Sequence, residues 1–486
     1  MTTPMRDNYP TYTDKTDEVG IMAIGNANLR ERIVGWDQQV PLLDGRMVPY
    51  VNFDNAASTP PFRAVRDKVN SFLAWYSSIH RGAGFKSQLA SEMYDSCRKV
   101  VADFVGADPE RDAIIFVSGT TDAINRLAFN CSLGSDERVA ISGMEHHAND
   151  LPWRRYCCPV RVPASNEGII DPDDLRKTLV KYGGKVKLFA VTGASNVIGT
   201  LVPIHDLARI CHEYGAKIMV DAAQLVPHCR VDMKRHDDPE HIDFLAFSAH
   251  KMYAPFGSGV LIAPEETVNQ GDPAVWGGGA VAAVAENEVV WLQAPERNEA
   301  GSPNVVGVVA MSAAMKEIDA IGYDIMENVE DALAQQFLEY MNDRPEITVY
   351  GISDPNRVDE RLGVLSFNIE GVPHSLMAAI LSYEGGIGVR SGCFCSHLFI
   401  LQLLQIPEEQ QEQVRSRLRK GYHTNIPGAV RVSFGLYNTS EEVTKLTGIL
   451  DRIIEGRYHS DYREDPHDGS YHPSSGKPNF QQYFHL

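Results

Sequence analysis

The sequence predicts an α/β protein, with a large domain built on a mostly parallel, mixed sheet flanked by helices and a smaller C-terminal α/β domain. Three observations predict it. Short apolar runs alternate with helical patterns from about Ala113 to Ala263, the order expected of βα units. A long apolar helical pattern, Val305 to Ile321, bridges the two domains. From about Met326 to Arg457 strands and helices mix, with Gly363 to Ile369 and Ala429 to Phe434 reading as strands. Residues 1–48 then form an N-terminal extension packed on the core, 49–322 the large domain, 323–458 the small domain and 459–486 a tail without regular period.

Taken in chain order, the strand ends carry the chemistry. The run Ala113 to Val117 ends at Ser118-Gly119-Thr120-Thr121, ahead of helical Asp122 to Phe129. A glycine and hydroxyls at a strand-to-helix turn offer donors to a phosphate, although an ordinary helix cap has the same composition. The run Arg138 to Ile141 leads into Ser142-Gly143-Met144-Glu145-His146-His147-Ala148-Asn149. A histidine there stacks on a flat heteroaromatic ring, shuttles protons near neutral pH, or is a loop residue without a task. Val186 to Thr192 is a strand that stops just before Ser195-Asn196.

In Ile218-Met219-Val220-Asp221-Ala222-Ala223-Gln224 an aspartate closes an apolar strand. A buried carboxylate needs a positive partner, which a protonated pyridine nitrogen would be; a plain N-cap is the alternative. The run Ile242 to Phe247 ends at Ser248 and continues as Ala249-His250-Lys251. Most lysines are solvated surface charges, but one at the end of a core strand suits a partly desolvated amine of lowered pKa that forms a Schiff base. Open α/β sheets collect ligands at the carboxyl ends of their strands. The cofactor that needs all four features is pyridoxal 5′-phosphate.

With these segments in place the chain resembles the class V aminotransferase-fold, pyridoxal-phosphate enzymes of the cysteine desulfurase and selenocysteine lyase group. The resemblance spans roughly Tyr50 to Ile454. It includes Asn52-Phe53-Asp54-Asn55-Ala56-Ala57-Ser58, His80-Arg81-Gly82, Ser195-Asn196-Val197-Ile198-Gly199, Gly277-Gly278-Gly279 and Glu299-Ala300-Gly301-Ser302-Pro303-Asn304, besides the segments above. It implies a fold-type I transferase architecture, with Lys251 as the Schiff-base lysine, Asp221 as partner of the pyridine nitrogen and Gln224 as donor to the ring hydroxyl. Thr120, Thr121, Ser248 and His250 match phosphate ligands, and His146 the ring-stacking, catalytic histidine. Asn196 matches a residue touching both cofactor and substrate. Ser302 stands where the family has a threonine that reaches the phosphate of the neighbouring subunit, which implies a homodimer. Arg431 matches the arginine that grips the substrate α-carboxylate, a task suited to a planar guanidinium.

The segment Gly388-Val389-Arg390-Ser391-Gly392-Cys393-Phe394-Cys395-Ser396 bears on the reaction. Arg390 is a further substrate-binding candidate. In the desulfurases that this chain resembles, a nucleophilic cysteine lies five residues after that arginine, the place of Cys395. It attacks the substrate sulfur as thiolate, forms a persulfide and releases alanine. The common version has histidines where this chain has Cys393 and Phe394. The Gly-Cys-Phe-Cys run also resembles molybdenum-cofactor sulfurase domains, without their Asn-Pro-Gly continuation. Cys393 is then a resolving thiol, a second persulfide carrier, one half of a reversible disulfide, or a loop thiol with no role. The resemblance leaves open other class V reactions, or a sulfur-carrier or redox protein without catalysis.

Bulk properties agree with an enzyme. The 486 residues allow more than one domain, and 43% apolar with 22% charged residues is ordinary for a globular protein. A net charge of −19 argues against nucleic acid and suits docking to basic patches, such as those of a sulfur-acceptor protein. No apolar run reaches membrane-spanning length, Met1 to Asp17 lacks a signal-peptide core, and eight scattered cysteines fit a reducing cytoplasm. Cys157-Cys158 reads as core or near-core. His459, His467, His472 and His485 invite a metal reading of the tail, but a solvated tail is the reading adopted, with no metal site expected.

Overall fold

Seven strands make the large sheet of the computed structural model, which describes residues 29–485. They are β1 (Asp112–Val117), β2 (Arg138–Ser142), β3 (Val160–Val162), β4 (Val186–Thr192), β5 (Lys217–Asp221), β6 (Phe244–Ser248) and β7 (Gly259–Pro264). Their order across the sheet is β1-β7-β6-β5-β4-β2-β3. All neighbours are parallel except β7, which runs antiparallel to both β1 and β6.

Both faces of this sheet are covered, which explains why its strands read as continuous apolar runs. In β1, Ile114 and Phe116 face one core, while Ala113, Ile115 and Val117 face the other. The first core is closed by α1 (Arg63–Leu73), α2 (Phe85–Val105) and a helix further along the chain, and the second by α3 (Thr120–Asn130). That further helix, α4 (Val305–Ile321), is apolar nearly all round because it packs against both α1 and α2. Asn304 caps it by accepting from the Gly307 N–H at 2.9 Å.

The smaller unit has its own core around a four-stranded antiparallel sheet. Its strands are β8 (Ile347–Tyr350), β9 (Val364–Ile369), β10 (Arg390–Gly392) and β11 (Ala429–Ser433), in the order β8-β9-β11-β10. Residues 1–28 of the predicted extension lie outside the described residues. Within the rest, Leu29 and Ile33 are buried in the large core, and Leu43 donates its N–H to the Tyr383 carbonyl at 2.9 Å. Arg30 pairs with Glu442 at 2.6 Å.

Two expectations need correction. The segment read as a tail holds an antiparallel hairpin, β12 (Tyr462–Glu464) and β13 (Tyr471–Pro473). The Tyr462 hydroxyl donates to Glu384 at 3.2 Å and His472 lies 3.4 Å from the Tyr383 hydroxyl, so contacts with the body define strands too short to show a period. The helix Leu151–Tyr156 ends ahead of Cys157 and Cys158: Cys157 is half-buried against the second core, as near-core predicts, whereas Cys158 is exposed. Among the described residues no helix is long and apolar enough to cross a membrane.

One glycine fixes the approach of β1 to β7. A Cβ on Gly259 would stand 2.6 Å from Gly119 Cα and 2.7 Å from the Phe247 carbonyl oxygen. Gly259→Ala is therefore expected to cost about 1–3 kcal/mol through overpacking, read as a lower midpoint in thermal unfolding. An unchanged midpoint would contradict that close approach.

Candidate active site

A cavity of about 590 Å³ opens at the carboxyl ends of β1, β2, β4, β5 and β6, and is closed by β11 and the loop after β10. At one end lies the N-terminus of α3. Gly119 provides no side-chain cap, and the helix dipole favours an anion there. Ser248 accepts from the Thr120 N–H at 2.8 Å, and its hydroxyl lies 2.7 Å from Thr120 Oγ1. Thr121 and His250 complete this end, and burial keeps the His250 imidazole below its usual pKa.

In the middle, Asp221 is 4% exposed. It accepts one hydrogen bond, from the Ala223 N–H at 3.1 Å. Burial pushes its carboxyl up, opposed by the Lys251 amine. Gln224 donates from Nε2 to the Ala56 carbonyl at 2.7 Å, while its Oε1 is buried without a partner. His146 accepts the Ala148 N–H on Nδ1 at 3.1 Å, which leaves its proton on Nε2. Burial, reinforced by Lys251, lowers the His146 pKa to about 3. The ring is therefore neutral near pH 7, with its proton on Nε2. Lys251 is lowered to about 8 by burial, with Asp221 pulling the other way.

Behind His146 stands a carboxylate that sequence reasoning left without a role. Glu145 accepts from Ser142 Oγ at 2.5 Å, Asn149 Nδ2 at 2.7 Å and the Thr192 N–H at 3.0 Å. Burial raises it to about 7. These bonds tie the ends of β2 and β4 to the turn that carries His146.

At the other end, Arg431 on β11 is 3% exposed. Its Nη1 donates to the Asn196 carbonyl at 2.8 Å and its Nη2 lies 3.2 Å from Asp54. Its Nε is buried with no partner, and burial lowers the group to about 10. Arg390 pairs with the other oxygen of Asp54 at 2.8 Å. Asp54 thus orients both arginines, another function missed in the sequence because nothing local relates positions 54 and 431.

The turn bearing the thiols is strained. Phe394 and Cys395 adopt φ of 50° and 55°, the left-handed region that non-glycine residues avoid at a cost of roughly 1–3 kcal/mol each. Four bonds hold it. Asn196 Nδ2 donates to the Phe394 carbonyl (2.8 Å), and the His147 N–H donates to the Cys395 carbonyl (2.7 Å). The Ser396 N–H donates to the Cys393 carbonyl (2.8 Å), and Ser396 Oγ donates to the Glu145 carbonyl (3.0 Å). The result leaves Cys395 exposed beside Lys251 and Arg431 in the cavity wall, and Cys393 buried. Ser302 is exposed and outside the cavity of its own chain.

A family model described as aminotransferase class-V matches residues 51–446. The chain belongs to this family. The class-V chain is 32% identical over 416 residues to cysteine desulfurases of Escherichia coli strain SE11 and Shigella flexneri, covering 84% of it and 94% of them. The apo cysteine desulfurase of Thermococcus onnurineus NA1 superposes with a TM-score of 0.73 at 31% identity, covering 84% of this chain and 95% of that one. The cysteine desulfurase CsdA of Escherichia coli, in S-sulfonic acid form, gives 0.72 at 27%, covering 88% and 98%.

Class-V enzymes use pyridoxal phosphate, and the residues here fit that group. A helix N-terminus beside the hydroxyls of Thr120, Thr121 and Ser248 suits a phosphate, and the poorly partnered Asp221 suits a pyridinium nitrogen; Gln224 spends its Nε2 on Ala56, so it would meet a ring hydroxyl as acceptor through Oε1 and not as the donor that the resemblance implies.

Proposed function

We propose that the protein is a pyridoxal-phosphate-dependent cysteine desulfurase that takes sulfur from L-cysteine onto Cys395 and releases alanine. The observation that carries this reading is the exposed Cys395 thiol in the same cavity as Lys251 and Arg431. When bound, the coenzyme supplies a ring that withdraws electrons from the carbon bearing the substrate amine. Asp221 keeps the ring nitrogen charged, His146 covers the ring face, and Thr120, Thr121, Ser248 and His250 hold the phosphate. Lys251 anchors the coenzyme and moves protons at Nζ. Arg431, with Arg390 and Asn196 beside it, fixes the substrate carboxylate so that its sulfur points at Cys395.

The same reading makes the protein a cytoplasmic homodimer that passes its persulfide to an acceptor. All eight cysteines are free, as a reducing compartment requires. Ser302 lies outside its own cavity, and Trp75, Tyr76, Phe85 and Trp276 leave apolar surface exposed.

The test is to incubate the coenzyme-loaded protein with L-cysteine and a reductant and to measure alanine and sulfide; absence of both would end this reading. Arg431→Lys replaces a planar fork by a point charge and leaves Asp54 poorly paired. It is expected to lower kcat/KM for L-cysteine by roughly 100-fold, mainly through KM. A change confined to kcat would place Arg431 elsewhere in the reaction.

A further inference from the structure

Phe394 stands between the two thiols, is 8% exposed and belongs to the large core. Burial alone does not account for it. Its φ of 50° is a conformation that glycine adopts at less cost, so a phenyl group there carries strain that its contacts must offset. One of those contacts is with the substrate-binding candidate on β11. The Arg431 guanidinium lies over the Phe394 ring, with Cζ 4.9 Å from the ring centroid.

Arg431 needs such a neighbour. It is 3% exposed, so little water solvates its charge. Among the described residues its only ion pair is with Asp54, at 3.2 Å, and Asp54 is shared with Arg390 at 2.8 Å. One carboxylate thus faces two guanidiniums. The electron-rich face of a phenyl ring attracts the under-compensated cation, and does so more strongly where water is excluded. Geometry adds to charge. A carboxylate binds the edge of a guanidinium, where the N–H groups lie, so a ring against the face fixes the plane of the fork without taking a donor from the substrate.

Asn196 makes this contact part of a closed unit. Its backbone carbonyl accepts from Arg431 Nη1 at 2.8 Å, and its side-chain Nδ2 donates to the Phe394 carbonyl at 2.8 Å. The guanidinium and the residue before Cys395 are therefore joined twice, face to ring and through Asn196. We propose that Phe394 is a positioning residue for substrate recognition, whose ring holds the Arg431 fork in the plane that receives the substrate carboxylate and ties that recognition to the turn carrying Cys395. This rests on the reading of Arg431 above as the carboxylate-binding group. The hydrogen bonds that hold the turn do not involve the ring, so replacing the ring weakens carboxylate binding and leaves the turn in place.

The experiment titrates the coenzyme-loaded protein by calorimetry with L-alanine, which has the amine and the carboxylate but no sulfur, and with ethylamine, which lacks the carboxylate. Phe394→Leu keeps apolar bulk and removes the π face. It should bind L-alanine about tenfold more weakly than the wild type and bind ethylamine equally. Phe394→Tyr keeps the face and should bind L-alanine within about twofold of the wild type. Equal weakening toward both ligands in Phe394→Leu would mean general damage to the cavity and overturn the proposal, as would unchanged affinity for L-alanine. A wild type that binds L-alanine no better than ethylamine would overturn it too, by removing Arg431 from carboxylate recognition. With L-cysteine as substrate, Phe394→Leu should raise KM about tenfold and leave kcat within about twofold; a fall in kcat with KM unchanged overturns the proposal. If the wild type binds L-alanine yet forms neither sulfide nor alanine from L-cysteine, the desulfurase reading fails, while the titration still decides the role of Phe394. Should Phe394→Leu not fold, Phe394→Met fills the site with a more adaptable chain, with the same tenfold loss expected at about the same precision. Unchanged L-alanine affinity in that variant counts against the proposal.

Discussion

Lys251→Ala is expected to abolish alanine release from L-cysteine, with a loss on the order of 10³- to 10⁴-fold in turnover. The residue is asked to do two things that no neighbour duplicates, to anchor the coenzyme and to carry a proton at the reacting carbon. The cavity prepares it for both by removing water from around its amine, which lowers its pKa to about 8. An ordinary lysine titrates near 10.4, so at pH 7 this amine has on the order of 100 times more of its neutral, nucleophilic form. Capture of pyridoxal phosphate by the apoprotein, fixed with borohydride and mapped to residue 251, should therefore rise with pH and level off above about 8. The sign of the neighbouring charge supplies a control. Asp221 stabilises the protonated amine, so Asp221→Asn should move that midpoint below its wild-type position. A midpoint near that of a solvated lysine would show that the amine is not desolvated at all.

The parts of this site that are legible in the sequence are those carried by single strand ends. The run Val186 to Thr192 and the helix Val305 to Ile321 coincide with β4 and α4, because burial on all sides writes continuous apolar runs with clear ends. Asp221 and Lys251 are visible because each is a polar residue closing such a run. Relation across the chain is not. Asp54 lies in one of the family motifs, yet its bonds to Arg390 and Arg431 join residues brought together only when β11 docks beside the segment after Asn52. Glu145 reads in the sequence as a neighbour of His146, whereas its three bonds reach back to Ser142, along to Asn149 and across to Thr192. The left-handed backbone of Phe394 and Cys395 has no compositional signal at all, since glycine is the usual mark of that conformation.

That backbone sets up the contrast between the two thiols. Cys395→Ala should eliminate the persulfide and lower alanine release on the order of 10³-fold, whereas Cys393→Ala should leave both within about twofold of the wild type. Both cysteines belong to the same turn, so proximity does not separate them; environment does. Cys393 is buried, its Sγ–H donates to the Pro427 carbonyl at 3.2 Å, and its thiol is pushed up to about 11. Almost none of it is thiolate near pH 7, and the thiolate is the form that attacks sulfur. Cys395 is exposed, and the bonds to its own carbonyl and to that of Phe394 hold it facing Lys251 and Arg431. Mass spectrometry after brief exposure to L-cysteine would locate the extra sulfur atom. Full turnover in Cys395→Ala would mean that the reaction is another class V chemistry in which the thiol is idle. Sulfur found on residue 393 in that variant would mean that the turn moves far enough to bring the buried thiol into the substrate cavity, against the hydrogen bonds that hold it.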